Sequence, residues 1–323
     1  LRFRYGFIGS SDNHQARPGT GYKENIRELN TESRVDMESE TGRNFMNPRL
    51  SDPKLPLAQK LDLGPDSELE CYGIQCSKVT LPLQSERASS FLYTGGLVAA
   101  HVESRNREEI WGALSNREVY ATSGERILLW FDLVNHPSGL SIPMGAETEM
   151  SSSPKFQVKA LGAQKQLPGC SPIDNENLSS EVLERLCRGE CFNPSDERKN
   201  ISRIEVIRIR PQVYEGEPIN ALIEDPWRIF ECEPSQEGCQ VEFIDEQFEG
   251  SSREIVYYVR AVQEPTEAIN ASGLDCELDQ NGRCIKVNLC GDPRGKGTGD
   301  CLSLTEERAW SSPIFVKFNS SPL

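Results

Sequence analysis

Two side chains near the start of the chain have the types and spacing of a metal site. Asp12 and His14 stand one residue apart in GSSDNH, after an apolar run of Tyr5, Phe7 and Ile8 that ends at Gly9. A carboxylate oxygen and an imidazole nitrogen are both good ligands for a divalent first-row ion. On an extended backbone, residues two apart point to the same side. The chemistry expected of such a pair is to hold Zn, Mn or Fe, to lower the pKa of a bound water and to polarise a scissile oxygen. The same spacing also fits a turn closed by an Asx hydrogen bond. Arg17, in RPGTGYK, would either meet an anionic substrate there or stand as solvated loop charge.

The elements that must position these groups are short. The run before Gly9 reads as a buried strand ending in a polar turn, and in α/β folds reactive side chains collect at such strand ends. GGLVAAHV, 95–102, reads as another buried strand with His101 packed inside it. Asn106 with Glu109 three residues on has the pattern of a capping box, so a helix follows, with Ile110, Trp111 and Leu114 as its apolar stripe. Residues 118–121 read as extended, 122–124 as a tight turn and 127–134 as a dense β-type run. Beyond 135, period-two runs at 155–161, 202–210, 241–248 and 254–262 predict a β-sandwich, interrupted by one helix at 179–188. In RIEVIRIR, the inward residues are expected to be Ile204, Val206 and, after a slip, Ile209.

GFIGSSDNHQARPGTGYKE, then GGLVAAHVESRNREEIWGALSNREVYATSGERI, and RAWSSPIFV near the C-terminus resemble one family. It is a poorly characterised branch of the PHP (polymerase and histidinol phosphatase) superfamily, catalogued as a domain of unknown function. The resemblance implies an α/β plus β fold class. Residues 1–135 would be the C-terminal part of a distorted β/α barrel with a long insertion at about 25–90. Residues 136–323 would be a disulfide-stapled β-sandwich-like domain. It also implies that Asp12 and His14 are the family's last metal motif. Ser123 and Arg126, on a turn near the active-site rim, would join Arg17 in binding substrate. The earlier metal motifs would precede residue 1. The chain is then expected to be the C-terminal portion of a longer protein, with its own missing N-terminal part as a partner.

Composition narrows the function classes. The net charge of −15 argues against nucleic acid, whose phosphates would be repelled. No stretch approaches the ~20 apolar residues of a membrane helix. The chain has eleven cysteines, in close groups, and three histidines, with no Cys-x-x-Cys. Disulfides closing short loops fit this better than zinc, so the expected place is secreted, periplasmic or at the cell surface. Eleven is odd, which leaves one cysteine outside any internal pairing.

Three readings follow. The first is a metal-dependent hydrolase acting on a phosphoester, or on an ester or carbamate, with a small-molecule substrate. The second is a non-catalytic secreted binding or structural protein. The third has Trp227 and Trp310 stacking on glycans, against ordinary burial of both rings. On the first reading, Asp12→Ala and His14→Ala are each expected to lower the divalent metal content of the intact protein together with its hydrolytic activity. Elemental analysis beside activity checks this, and unchanged values in both variants would end that reading.

Overall fold

The computed structural model describes residues 3–10, 70–72, 75–77, 96–187, 189–250, 253–269, 275–280, 284–288 and 302–319. In chain order, β1 (Glu70–Tyr72) and β2 (Gln75–Ser77) pair as a small hairpin. Then come β3 (Leu97–Ala100), helix α1 (Arg107–Asn116), β4 (Val119–Thr122) and β5 (Leu128–Leu133). β6 (Ile142–Pro143), β7 (Glu147–Met150), β8 (Lys155–Leu161) and β9 (Gln164–Gln166) lead to two short helices, α2 (Pro172–Asn177) and α3 (Ser180–Cys187). The long strands β11 (Ile201–Ile209), β12 (Ile223–Glu231), β13 (Cys239–Ile244) and β14 (Ile255–Gln263) follow β10 (Pro194–Arg198). β15 (Thr266–Ile269), β16 (Asp275–Leu278), β17 (Cys284–Asn288), β18 (Leu302–Thr305), β19 (Arg308–Ser311) and β20 (Ile314–Phe318) complete the set.

The larger sheet runs β12-β11-β14-β19-β4-β3, with β20 joined to β14 and β7 to β20. The smaller runs β13-β8-β5-β6. β4 pairs with β19 and β5 with β8, so strands from both sides of residue 135 share both sheets. The inner faces meet in one core. Alternation on β5 turns Leu129, Phe131 and Leu133 inward, and on β8 Phe156, Val158 and Ala160. Phe156 stacks on Phe131 and Phe243 within the smaller sheet and meets Tyr257 of the larger at 4.6 Å between ring centres.

The described residues do not form the β/α barrel expected for 1–135. Among the described residues helices are few and the strands lie in separate sheets. The physical reason lies at α1. It joins β3 to β4, and these two pair antiparallel, whereas a β/α barrel needs each helix to return the chain to a parallel neighbour. Segment 3–10 carries no strand either, and Phe3, Tyr5 and Ile8 are largely exposed. It is held by specific contacts instead. Phe7 sets its ring edge-on to Tyr258 on the outer face of β14, and its amide donates to Ser312 Oγ at 2.9 Å. Arg4 pairs with Glu254 and Glu147.

α1 begins where the capping residues place it: Asn106 Oδ1 accepts from the Glu109 amide at 2.8 Å. Its stripe is turned the other way from expectation. Ile110 and Leu114 are exposed and Trp111 is 70% exposed, while Ala113 is the buried residue. The small residue lets the helix lie close to its support, and the large apolar ones face outward.

Arg208 departs most from the strand pattern. It keeps the alternation of Ile204 and Val206 and faces inward, beside Tyr257 on β14 and Glu224 on β12. The slip expected at Ile209 is therefore absent from the inner face. The β11–β12 ladder is irregular between Val206 and Arg208. The guanidinium takes both oxygens of Asp245 at 2.9 Å, donates to Glu224 at 2.7 and 3.0 Å, and lies 4.2 Å from the centre of the Trp227 ring. The Tyr257 hydroxyl donates to Asp245 Oδ2 at 2.7 Å. On the outer face, Glu205 sits opposite Arg260 and bonds both it and Arg203, and Arg203 grips Glu306 with two hydrogen bonds.

Arg208→Leu would strand the Asp245 carboxylate, which is fully buried, without its cation. The expected loss of unfolding free energy is about 3–5 kcal/mol, measured by denaturant titration. The outer ladder gives a pH dependence. The Arg203 hydrogen bonds hold Glu306 below the usual carboxylate range. Burial pushes Glu205 up, but Arg203 and Arg260 outweigh it and leave it low. A depressed folded-state pKa stabilises above the unfolded value of about 4.3, and that stabilisation is lost as pH falls through the folded value. Glu306→Gln is therefore expected to be less stable than the parent at pH 7, with the gap closing in thermal melts taken below about pH 4.

Candidate functional site

The turn after β4 does two jobs. Ser123 ties it down: its amide donates to the Arg308 carbonyl at 2.9 Å, the Arg308 amide donates to Ser123 Oγ at 2.8 Å, and that hydroxyl bonds the Glu307 carboxylate. Ser123 is thus spent on joining β4 to β19. Glu125 and Arg126, next along, turn the other way and enter a cleft of about 330 Å³.

Four segments build that cleft. Glu125 and Arg126 come from the β4–β5 connection, Leu128 from the start of β5, and Arg105 from the turn before α1. Ala163, Gln164 and Gln166 lie on and before β9, and Phe192 and Arg198 on and before β10. β9 and β10 pair antiparallel with Arg198 opposite Gln164, which brings a guanidinium and an amide to one wall. The approach behind this wall is close. A side chain at Gly162 would run into the Lys199 carbonyl, so the crossing needs glycine.

The floor of the cleft is electrostatically fixed. Glu125 and Lys199 are both buried, and Lys199 Nζ donates to Glu125 Oε1 at 2.9 Å. Arg198 Nη1 donates to the Gly162 carbonyl at 2.9 Å. Arg126 lays its guanidinium 3.8 Å from the centre of the Phe192 ring, a cation–π contact that orients a long side chain. With Glu125 matched by Lys199, three guanidiniums bring positive charge to one mouth in a chain of net charge −15. Such a cleft focuses field and favours an anion. The two glutamines add neutral donors and acceptors that fix orientation.

A family model described as Protein of unknown function (DUF3604) matches residues 2–165. The chain belongs to the DUF3604 family. The match covers half of the chain, including Asp12, His14, Arg17, Ser123 and Arg126, and it falls on the N-terminal half. The expected domain of unknown function is therefore found. The resemblance to the PHP superfamily is overturned, because the match is to DUF3604 and not to a PHP family, and the described residues form no barrel. No curated protein and no solved structure matches the chain.

Of the expected site residues, Arg126 lies in the cleft and Ser123 does not line it. Asp12, His14 and Arg17 lie outside the described residues. The described chain before them stops at Ser10, whose carbonyl accepts from the Gly96 amide at 3.1 Å. Gly9 packs there against the backbone of Leu97 and Thr122, at the β4 end that begins the Arg126 turn. His101, expected to be a packed histidine, is half-buried between Tyr120 and Trp130, with Nε2 2.7 Å from the Leu129 carbonyl. Burial pushes its neighbour Asp132 up, partly offset by His101. Trp227 packs against Phe243 and Tyr257 and between Arg208 and Arg228, so its ring serves the core edge. Among the described residues the group with metal-ligand spacing is Cys170, Cys187 and Cys191, with neither histidine nor carboxylate.

Arg105, Glu125, Gln164, Gln166, Phe192 and Arg198 had no sequence signal. No motif joins them, and only the β9–β10 pairing brings them to the β4 turn.

Proposed function

We propose that this chain binds a small solute bearing a phosphate or carboxylate group, outside the cytoplasm, in the cleft between the β4–β5 turn and the β9–β10 wall. The convergence of Arg105, Arg126 and Arg198 on one mouth carries this reading. Guanidiniums present paired donors that match the oxygens of both groups. A volume near 330 Å³ suits a small ligand. The disulfides Cys170–Cys191 and Cys232–Cys239 are compatible with an oxidising compartment. No described helix is long and apolar enough to cross a membrane.

A second reading keeps the chemistry expected of Asp12 and His14. Metal-dependent hydrolysis of an anionic ester is favoured by one observation: the segment leading to Asp12 is anchored at Thr122, the start of the turn that carries Arg126. Zn, Mn or Fe held by those two side chains and further ligands would supply an activated water, with Arg126 holding the substrate anion.

Titration of the chain with inorganic phosphate and with citrate by calorimetry tests the first reading. Saturable binding is expected, and Arg126→Ala and Arg198→Ala are each expected to weaken it roughly tenfold, the loss of one charge-assisted hydrogen bond. Parent-like affinity in both variants would remove the cleft from consideration. Metal-dependent turnover of p-nitrophenyl phosphate that vanishes in His14→Ala would instead support the second.

A further inference from the structure

Three sulfurs meet at the C-terminal end of α3, beside the cleft wall that Phe192 lines. Cys170 and Cys191 are bonded at a sequence separation of 21, across a span that contains α2 and α3. Cys187, the last residue of α3, donates its thiol hydrogen to the Leu183 carbonyl at 3.2 Å, one turn back. Its sulfur lies 2.7 Å from that of Cys191 and 3.7 Å from that of Cys170. All three cysteines are at most partly exposed, and Cys170 and Cys187 are reachable from solvent.

We infer that Cys170, Cys187 and Cys191 form a thiol–disulfide exchange site, in which the bond to Cys191 passes between Cys170 and Cys187. In the exchange step, Cys187 gives up its proton and its thiolate attacks Cys191 Sγ. The Cys187–Cys191 bond forms and the Cys170–Cys191 bond breaks. The electron pair leaves on Cys170, which takes up a proton. Nothing is oxidised or reduced overall, so no outside oxidant is needed. Cys187 Sγ lies within 3.7 Å of both bonded sulfurs, to the side of their bond, whereas displacement at sulfur runs in line. A rotation of the Cys187 side chain, released from Leu183, is therefore part of the step. Cys191 is the common partner because it is bonded to Cys170 and is the nearer of the two bonded sulfurs to Cys187.

The site takes thiol reagents and small disulfides as its reaction partners, at Cys187 in one state and at Cys170 in the other. Its place beside the cleft follows from the chain, since Phe192, the ring under Arg126, is the residue after Cys191. The exchange itself does not rest on the anion-binding reading.

Peptide mapping of the native, full chain tests it. Excess N-ethylmaleimide first caps the remaining thiol of the native chain, and digestion at acid pH then keeps the linkages from reshuffling, because only the thiolate attacks. The expected result is two linkages to Cys191, from Cys170 and from Cys187, with maleimide on Cys187 in the first population and on Cys170 in the second. A single Cys170–Cys191 linkage with maleimide on Cys187 alone would overturn the proposal, as would Cys187 linked to a cysteine outside the trio. Cys187→Ser is expected to abolish labelling at Cys170, and Cys170→Ser to be recovered with a Cys187–Cys191 bond. If Cys170→Ser does not fold, the parent map still decides. Because linkage is read without ligand, failure of phosphate binding would leave this result standing, and failure here would leave the cleft standing.

Discussion

An arginine occupies a position on β11 where alternation asks for an apolar residue, and the closure of the two sheets depends on how its charge is met. Burying a charge is unfavourable unless a partner is buried with it in good geometry. Asp245, just after β13 on the smaller sheet, supplies that partner for Arg208 on the larger. The apolar core drives the sheets together, but apolar contact has no direction. A carboxylate gripped by one guanidinium does have direction, and it fixes how far β13 can slide over β11. Tyr257 takes part because burial, then Asp245, pushes its phenol far up, so the hydroxyl keeps its proton and donates. Trp227 covers the remaining face of the guanidinium.

The same arrangement recurs at the cleft. Glu125 and Lys199 are a second buried pair joining separated segments, here the β4–β5 turn and the chain between β10 and β11. It anchors the turn that carries Arg126 at the wall that carries Arg198. The disulfide Cys170–Cys191 holds the far side, next to Phe192. An exposed arginine loses much rotamer freedom on binding a ligand, so a ring beneath Arg126 and a carbonyl holding Arg198 reduce what binding must order.

β5 and β8 are legible because one face of each is buried, and burial writes a period of two into the sequence. Residues 155–161 were read as a strand and form β8. Reading failed where a charge took an apolar place, as at Arg208, because polarity alone cannot show that Asp245 waits on another strand. It failed for α1 because Ile110, Trp111 and Leu114 look like a core stripe, while the face that packs is marked by the small Ala113. It failed for segment 3–10 because an apolar run is compatible with a strand and equally with single anchors such as Phe7 on Tyr258. The barrel came from resemblance, and the antiparallel pairing of β3 with β4 rules against it. Arg126 lines the cleft, and the residues beside it there depend on long-range pairing that local pattern does not record.

The family match and the cleft do not share a boundary. Residues 2–165 supply Arg105, Glu125, Arg126, Leu128, Ala163 and Gln164. Gln166, Phe192 and Arg198 come from beyond the match, and so do Lys199 and the Cys170–Cys191 bond. The matched half alone would leave Glu125 without the ammonium that faces it and Arg126 without the ring beneath it. A carboxylate in that state would compete for the same guanidiniums that an anionic ligand needs. The positive character of the mouth is thus a property of both halves folded together. The match takes in β3 to β8, and the residues after 165 complete the cleft at one edge of these strands, where the proposed anion would sit.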